Sequence, residues 1–341
     1  MISFTCDYSE GAHPSILRRL CDTNLEQLEG YGNDCYTQSA KEKIAAVVGC
    51  RPADIYLLTG GTQTNATVID AMLPHYGAVI AAESGHVAVH EGGAIELFGH
   101  KVITLNAPNG KLEAATLQAY LTTFYEDPTY EHMAQPGLVY VSYPTEWGTI
   151  YTRSELEALY NVCQHYQLKF FVDGARLGYG LVSPSADMAL SDLGQLCDVF
   201  YIGGTKIGAL CGEAVVFPHG DVPAHFFTIV KQHGALLAKG RLLGIQFDTL
   251  FTDELYLQIS RHAVAQALRL RELFLARGYS FYVDSPTNQQ FPILTLEKIE
   301  SLGRYVRFER WQQVEDDAYV TRFATSWSTP EEHVTELGNL L

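Results

Sequence analysis

The chain has 341 residues, of which 47% are hydrophobic, 18% are charged and 11% are aromatic. This is the composition of a globular protein with a sizeable core, and the sequence has neither a repeat nor a low-complexity tract, so neither disorder nor a solenoid is indicated. The formal net charge of −16 argues against nucleic acid or an anionic membrane surface as the main partner.

The cysteines and the first residues indicate the compartment. The seven cysteines are scattered and form no C-x-x-C pair, which is typical of reduced thiols in the cytosol. The N-terminal residues show no basic segment followed by an apolar one, and the longest apolar runs are far shorter than the ~20 residues of a transmembrane helix. We therefore expect a cytoplasmic protein that lacks a secretory signal and a membrane span.

Short β-rich runs alternate with helical patterns between residues 38 and 217. Helices are predicted at 38–48, 62–73 and 154–166, the last with Ser154 as its N-cap and Glu157 three residues further on. The predicted strands are 55–58, 79–81, 102–105, 138–142, 169–172, 199–202 and 214–217. This alternation predicts an α/β fold with a mainly parallel, seven-stranded sheet.

The C-terminal part has a different pattern. Residues 221–251 are helical in character, and a long helix over 254–277 leads away from the predicted sheet. Strands are predicted at 291–294, 305–308 and 319–324, followed by a last helix with Pro330 at its first helical position. We expect a large domain of residues 1–250, which includes an N-terminal arm, and a small α/β domain of residues 251–341.

Three loops that follow predicted strands hold candidate functional residues, because ligands bind at the carboxyl ends of the strands in such sheets. The first loop contains Gly60, Gly61 and Thr62 and leads into a helix N-terminus, where free N–H groups and the helix dipole favour a phosphate. A glycine turn is also a common structural start of a helix. The loop differs from the G-x-G-x-x-G pattern of dinucleotide sites.

The second loop places Asp173 and Arg176 after an apolar strand. A carboxylate there could keep a pyridinium nitrogen protonated, as the electron sink of pyridoxal 5'-phosphate (PLP) requires. The alternative is an Asp–Arg ion pair that closes a turn.

The third loop places Lys206 among glycines, just after a buried strand. Glycines permit a close approach to the backbone, and a buried lysine has the low pKa of a Schiff-base former. His86 follows another strand, where it is either a ring that stacks on a cofactor or an ordinary hydrogen-bonded histidine.

Taken in order, these segments resemble the threonine aldolase and aromatic amino-acid β-eliminating lyase family. This family consists of PLP-dependent enzymes with the fold of aspartate aminotransferase, known as fold type I. The D-G-A-R segment at 173–176 and the G-G-T-K segment within 203–208 are together strongly specific. The match covers nearly the whole chain and includes residues 7–9, 31–36, 60–65, 86–93, 173–176, 203–208 and Arg322.

The resemblance implies a role in holding PLP for six of these residues. Gly61 and Thr62 would bind the phosphate, and His86 would stack on the ring. Asp173 would bind the pyridine nitrogen, Arg176 would lie by the phenolic oxygen, and Lys206 would form the Schiff base.

The resemblance also implies how the substrate is bound. Ser9 and Arg322 would take the α-carboxylate of an amino-acid substrate, and Tyr36 would reach into the site of a neighbouring subunit. The protein is therefore expected to be a homodimer or a homotetramer with shared sites.

The chain departs from the family pattern in two places. Family threonine aldolases carry a Thr-His pair after the fourth strand, where this chain has Thr145 and Glu146, and a histidine two positions before the aspartate, where it has Phe171. The first departure concerns the group that handles the substrate hydroxyl. Glu146 is the nearest candidate for this base, and a carboxylate that caps a turn after Pro144 is the alternative.

The resemblance implies a PLP-dependent lyase that cleaves L-threonine or related β-hydroxy-α-amino acids to glycine and an aldehyde. The alternatives are β-elimination from aromatic or sulfur amino acids, a non-catalytic PLP-binding protein, and a nucleotide-binding module built on the Gly60–Thr62 turn. No metal site is expected, since His86 and His90 have no carboxylate pattern beside them that makes a metal set.

Overall fold

The computed structural model describes residues 1–341, apart from the side chain of Ala53. Its strands are β1 (Ile2–Ser3), β2 (Ile55–Leu58), β3 (Gly77–Ala82), β4 (Lys101–Leu105), β5 (Gln135–Ser142), β6 (Lys169–Asp173), β7 (Val199–Gly203), β8 (Glu213–Val216), β9 (Gln289–Gln290), β10 (Ile293–Leu294), β11 (Val306–Arg307), β12 (Glu309–Glu315) and β13 (Ala318–Ala324). Its α-helices are α1 (Pro14–Asp22), α2 (Cys35–Val48), α3 (Gly61–Met72), α4 (His86–Val89), α5 (Ala94–Leu97), α6 (Ala114–Glu126), α7 (Arg153–His165), α8 (Leu177–Leu181), α9 (Leu190–Leu193), α10 (Phe226–Gln232), α11 (Arg241–Leu250), α12 (Leu255–Ala276), α13 (Leu296–Leu302) and α14 (Glu331–Leu340).

The central sheet has seven strands in the order β2-β8-β7-β6-β5-β3-β4. The strands from β7 to β4 in this order pair in parallel, and β8 is antiparallel to both of its neighbours. Side chains of β6 alternate between two cores, with Phe170 and Val172 in one and Phe171 in the other. The sheet is therefore covered on both faces, which explains the apolar runs, and the predicted α/β fold with a mainly parallel sheet is confirmed.

A smaller sheet forms in the C-terminal part, where β13 pairs antiparallel with β9, β10 and β12. Helix α12 contributes Ile259 and Ala263 to the core of the large sheet and Leu270 and Phe274 to the C-terminal core. Because one helix serves both cores, the division at residues 250 and 251 stays a prediction.

The first residues of the chain pack against the C-terminal part. β1 pairs in parallel with β11, and Phe4 packs in the same core as Phe274 and Phe323. The backbone of Phe4 also hydrogen-bonds Arg307 and Ala324, both at 2.8 Å. This anchors the segment that continues to the site at the edge of the central sheet.

Three details of the predicted elements were wrong. The N-cap of α7 lies two residues before the predicted Ser154, since Thr152 is the N-cap and forms the reciprocal capping box with Glu155. The sequence holds two overlapping patterns of this kind, and the structure uses the earlier one. Pro330 is the N-cap of α14 rather than its first helical residue. Strand β12 was not predicted, because much of it is polar and exposed.

Among the described residues, none of the helices combines the length and apolar character needed to cross a bilayer.

Candidate active site

Two adjoining cavities open at the carboxyl ends of the parallel strands. The inner cavity, of about 330 Å³, is lined by seven of the predicted residues, which are Gly61, Thr62, His86, Glu146, Asp173, Arg176 and Lys206. The outer cavity, of about 630 Å³, shares four of these and adds Arg322 from the smaller sheet. A separate cavity of about 520 Å³ is lined by none of the predicted residues, and two of its charged groups, Lys111 and Glu155, pair with each other at 2.6 Å.

Lys206 lies in the loop between β7 and β8. The loop approaches the 173–176 segment so closely that a Cβ on Gly203 would lie 2.4 Å from the carbonyl oxygen of Ala175, so only glycine fits there. Desolvation and the nearby Arg176 lower the pKa of Lys206, although Asp7 and Asp173 act in the opposite direction. A lowered pKa increases the uncharged, nucleophilic fraction of the amine at any given pH.

Asp173 ends β6 and is buried under four hydrogen-bond donors. The Tyr140 and Tyr201 hydroxyls donate to its two carboxylate oxygens, each at 2.5 Å. The Asn65 amide donates at 3.0 Å and the Ala175 backbone N–H at 2.9 Å. Burial opposes the charge of Asp173, but these donors outweigh it and hold its pKa below the ordinary value. The carboxylate therefore stays ionised at neutral pH.

His86 begins α4 and is linked to Asp173 through two other side chains. Its Nδ1 lies 2.7 Å from Oε1 of the buried Glu91, and the same oxygen accepts a hydrogen bond from the Asn65 amide at 2.7 Å. Asn65 also donates to Asp173. The histidine is therefore held by a continuous polar chain rather than standing alone.

Glu146 lies beside His86 and lines both cavities. Its Oε1 accepts hydrogen bonds from the Ser142 hydroxyl at 2.6 Å and from the backbone N–H of His86 at 2.9 Å. Burial raises the pKa of Glu146 above its ordinary value, in spite of these two donors. The carboxylate thus binds the first backbone N–H of α4, and its raised pKa makes it a stronger base than a surface glutamate.

Arg176 pairs with Asp7 and not with Asp173. Its Nε and Nη2 bind the two carboxylate oxygens of Asp7 at 2.7 and 3.0 Å, and Asn288 donates to the same carboxylate at 2.9 Å. This pairing holds the pKa of the buried Asp7 at about 2, against the cost of its desolvation. The ion pair between Asp173 and Arg176 that was weighed as an alternative is therefore wrong.

The N-terminus of α3 forms one wall of the inner cavity. Gly60 is its N-cap and supplies no side-chain cap, and a Cβ on Gly60 would meet no atom within 4 Å. Gly61 and Thr62 line the cavity beside it. An open helix N-terminus of this kind is suited to an anionic group such as a phosphate.

The predicted substrate residues differ in position. Arg322, on β13, lines the outer cavity. Ser9 and Tyr36 line neither cavity. The Ser9 hydroxyl lies 3.1 Å from the Cys6 sulfur, and the Tyr36 hydroxyl donates to Glu26 at 3.0 Å. Their roles stay predictions.

Several residues that shape the site were given no role from the sequence, although some of them lie in segments that resemble the family. They are Asp7, Tyr8, Asn65, Glu91, Tyr140, Tyr201 and Glu213. Asn65 could have been found, because it lies one helical turn after the Gly60–Gly61 turn and so faces the same side. Glu213 is buried beside Lys206, and desolvation raises its pKa to about 8.

No set of three or more histidine, cysteine or carboxylate side chains among the described residues is arranged to hold a metal ion.

Comparison with known proteins gives a family match. The family model described as beta-eliminating lyase matches residues 7–282. The low specificity L-threonine aldolase of Pseudomonas aeruginosa is 29% identical over 338 residues, which covers 98% of this chain and 95% of that protein.

Solved structures give the same result. The threonine aldolase of Leishmania major is 38% identical, with a TM-score of 0.95 over 100% of this chain and 98% of the other. Aspartate aminotransferase of Thermus thermophilus, at 14% identity and a TM-score of 0.71 over 100% of this chain and 90% of that one, shares the fold. The chain therefore belongs to the beta-eliminating lyase family, and it is a PLP-dependent lyase of fold type I.

Proposed function

We propose that the protein is a threonine aldolase, which cleaves L-threonine or a related β-hydroxy-α-amino acid to glycine and an aldehyde. The observation that carries this proposal is that Lys206 lines both cavities, with Asp173 in the inner one and Arg322 in the outer one. One amine is thus within reach of a cofactor site and of a carboxylate site. The likeness to two threonine aldolases over nearly the full chain supports the same reaction.

The residues of the inner cavity fit PLP at several points. The ionised Asp173 suits the protonated pyridine nitrogen, and the open N-terminus of α3, with Gly61 and Thr62, suits the phosphate. His86 would cover the ring, and Lys206 is the amine that would bind the cofactor covalently. When bound, PLP supplies the electron sink for the charge that develops as the Cα–Cβ bond breaks.

Arg176 would lie by the phenolic oxygen of PLP, as the sequence resemblance implies. Its guanidinium is fixed by Asp7, so it keeps its orientation and its charge inside the cavity. The positive charge of Arg176 also favours the uncharged form of Lys206, which is the form that reacts with a carbonyl.

Glu146 is proposed as the base that accepts the proton of the β-hydroxyl group. Its carboxylate is fixed by Ser142 and by the backbone of His86, so its position is set before a substrate arrives. Its raised pKa brings the carboxylate closer to the value that suits proton transfer near neutral pH. Because the ionised form is the base, its activity is lost as the pH falls through this pKa.

Substrate binding and assembly complete the proposal. Arg322 anchors the α-carboxylate, with Ser9 as a second group from the N-terminal arm. Tyr36 lies outside the cavities of its own chain, as expected of a residue that serves a neighbouring subunit. We further propose a homodimer or homotetramer located in the cytoplasm.

Product analysis separates this function from β-elimination, which the description of the matching family favours. The PLP-loaded protein is incubated with L-threonine, L-phenylserine and L-tryptophan. Glycine and an aldehyde from the first two substrates support the aldolase, whereas ammonia and pyruvate from L-tryptophan support the β-eliminating lyase. A non-catalytic PLP-binding protein would yield neither set, although borohydride would still fix the cofactor to Lys206.

A further inference from the structure

Arg322 already has a carboxylate partner within the chain. Glu309 lies directly opposite Arg322 in the register of β12 and β13, and its Oε2 is 2.7 Å from Nη2 of the arginine. The same oxygen accepts a hydrogen bond from the indole N–H of Trp311 at 3.0 Å. The centre of the Trp311 ring lies 5.2 Å from the guanidinium carbon of Arg322. All three side chains line the outer cavity.

The guanidinium of Arg322 is only partly satisfied. Its Nη1 donates to Gln289 at 3.2 Å, and its Nη2 donates to the carbonyl of Thr5 at 3.1 Å. Nη2 also forms the ion pair with Glu309. Its Nε is buried and has no hydrogen-bond partner among the described residues. A buried donor in this state is unfavourable, and a ligand that pairs with it gains affinity.

Nε and Nη2 form one edge of the guanidinium plane, and a carboxylate binds this edge with both oxygens. Arg176 uses the same edge for Asp7. On Arg322 the edge is half used, because Glu309 reaches Nη2 with one oxygen and leaves Nε unpaired. The α-carboxylate of an amino acid would satisfy both donors, but Glu309 must first leave Nη2.

We propose that Glu309 is a displaceable internal ligand of Arg322, which the α-carboxylate of the substrate replaces. The proposal rests on the proposed function, in which Arg322 anchors that carboxylate. The Glu309 side chain is 35% exposed whereas that of Arg322 is 11% exposed, so the glutamate can turn into solvent while the arginine stays in place. A partly exposed ion pair of this kind is weak enough to be exchanged.

This arrangement makes Glu309 a specificity-determining residue. Only a ligand that brings its own negative charge can replace Glu309 without leaving Arg322 unpaired in the cavity. Uncharged analogues of the substrate, such as amides, would therefore leave Glu309 in place and gain no pairing with Arg322, so their affinity would not depend on the energy of the internal pair.

The test is Glu309→Gln in the PLP-loaded protein. The variant keeps the size of the side chain and removes its charge, so KM for L-threonine should fall by roughly 1.5- to 5-fold at unchanged kcat, the equivalent of the ~0.2–1 kcal/mol that is typical of an exposed pair. The dissociation constant of glycine, measured from the visible spectrum, should fall by the same factor, and that of glycinamide should not fall. Glu309→Ala should change the two constants in the same directions.

Glu315→Gln is the matched control. It removes the same charge from the same strand at an exposed position that lines neither cavity, and KM should not change. An equal fall of KM in this control would overturn the proposal, because the effect would then come from net charge alone.

Arg322→Ala separates the inference from the function on which it rests. An unchanged KM in Arg322→Ala overturns Arg322 as the anchor, and the inference with it. If Arg322→Ala raises KM while Glu309→Gln leaves KM unchanged or raises it, Arg322 is still the residue that binds the α-carboxylate. Glu309 then only positions the arginine, and displacement is refuted.

Discussion

Replacement of Glu146 by glutamine tests the proposed base. The glutamine keeps an oxygen that can accept the hydrogen bonds from Ser142 and from the backbone of His86, so the start of α4 should hold its position. What is lost is the basicity of the carboxylate. We expect kcat for aldol cleavage to fall by about 10²-fold, or ~2.7 kcal/mol of transition-state stabilisation, while the visible spectrum stays the same.

The assay is the release of aldehyde from L-threonine, measured across the pH range. In the wild-type protein, activity should fall at low pH as Glu146 is protonated, and burial places this limb above the ordinary pKa of 4.5. Glu146→Gln should lack the limb. Ser142→Ala is the control, because loss of a hydrogen bond that favours the charged form should raise the pKa and move the limb to higher pH. A near-normal kcat with the same limb in Glu146→Gln would refute the assignment and point to His86 or a water molecule as the base.

Three further variants test other parts of the site. Lys206→Ala should abolish turnover and the visible band while circular dichroism stays the same, and normal turnover would contradict the covalent role of the amine. Arg322→Ala should raise KM by roughly 10- to 150-fold in steady-state assays, the equivalent of about 1.5–3 kcal/mol for a charged hydrogen bond, and an unchanged KM would point to another anchor. Asp7→Asn should lower the free energy of unfolding at neutral pH by about 3–5 kcal/mol, because it leaves Arg176 buried without its counter-charge. Since the pKa of Asp7 is lowered from 3.8 to about 2, its ionised form stabilises the folded wild-type protein fully above pH 3.8, and this stabilisation is lost as the pH falls through 2. A denaturation profile of Asp7→Asn that equals that of the wild type would contradict this account.

The central sheet was predictable because burial of its strands leaves a strong pattern. β6 has three consecutive apolar residues, Phe170 to Val172, and ends at Asp173, so both its place in the sheet and its functional end could be inferred. β12 gave no such signal, since its position depends on pairing with β13 and not on burial of its own residues. Tertiary pairing of this kind has no local signature in the sequence.

The loop residues of the site were predicted for a similar reason. Lys206 and Asp173 come at the ends of buried strands, where a charged side chain is unfavourable unless it has a partner or a function. The partners that tune them lie elsewhere, since Tyr140 and Tyr201 sit inside strands and look like core residues in the sequence. Asp7 and Arg176 are 169 residues apart, and nothing local to either one indicates the other.

The pairing of β1 with β11 determines how much of the chain is needed for a working unit. The family model matches residues 7–282, yet both of these strands and Arg322 lie outside that range. A protein trimmed to the matched residues would lose Phe4 and Phe323, and would leave Leu270 and Phe274 of α12 exposed to water. We expect such a fragment to aggregate, and any amino acid that it still bound would have no side chain at the position of Arg322 to hold its carboxylate.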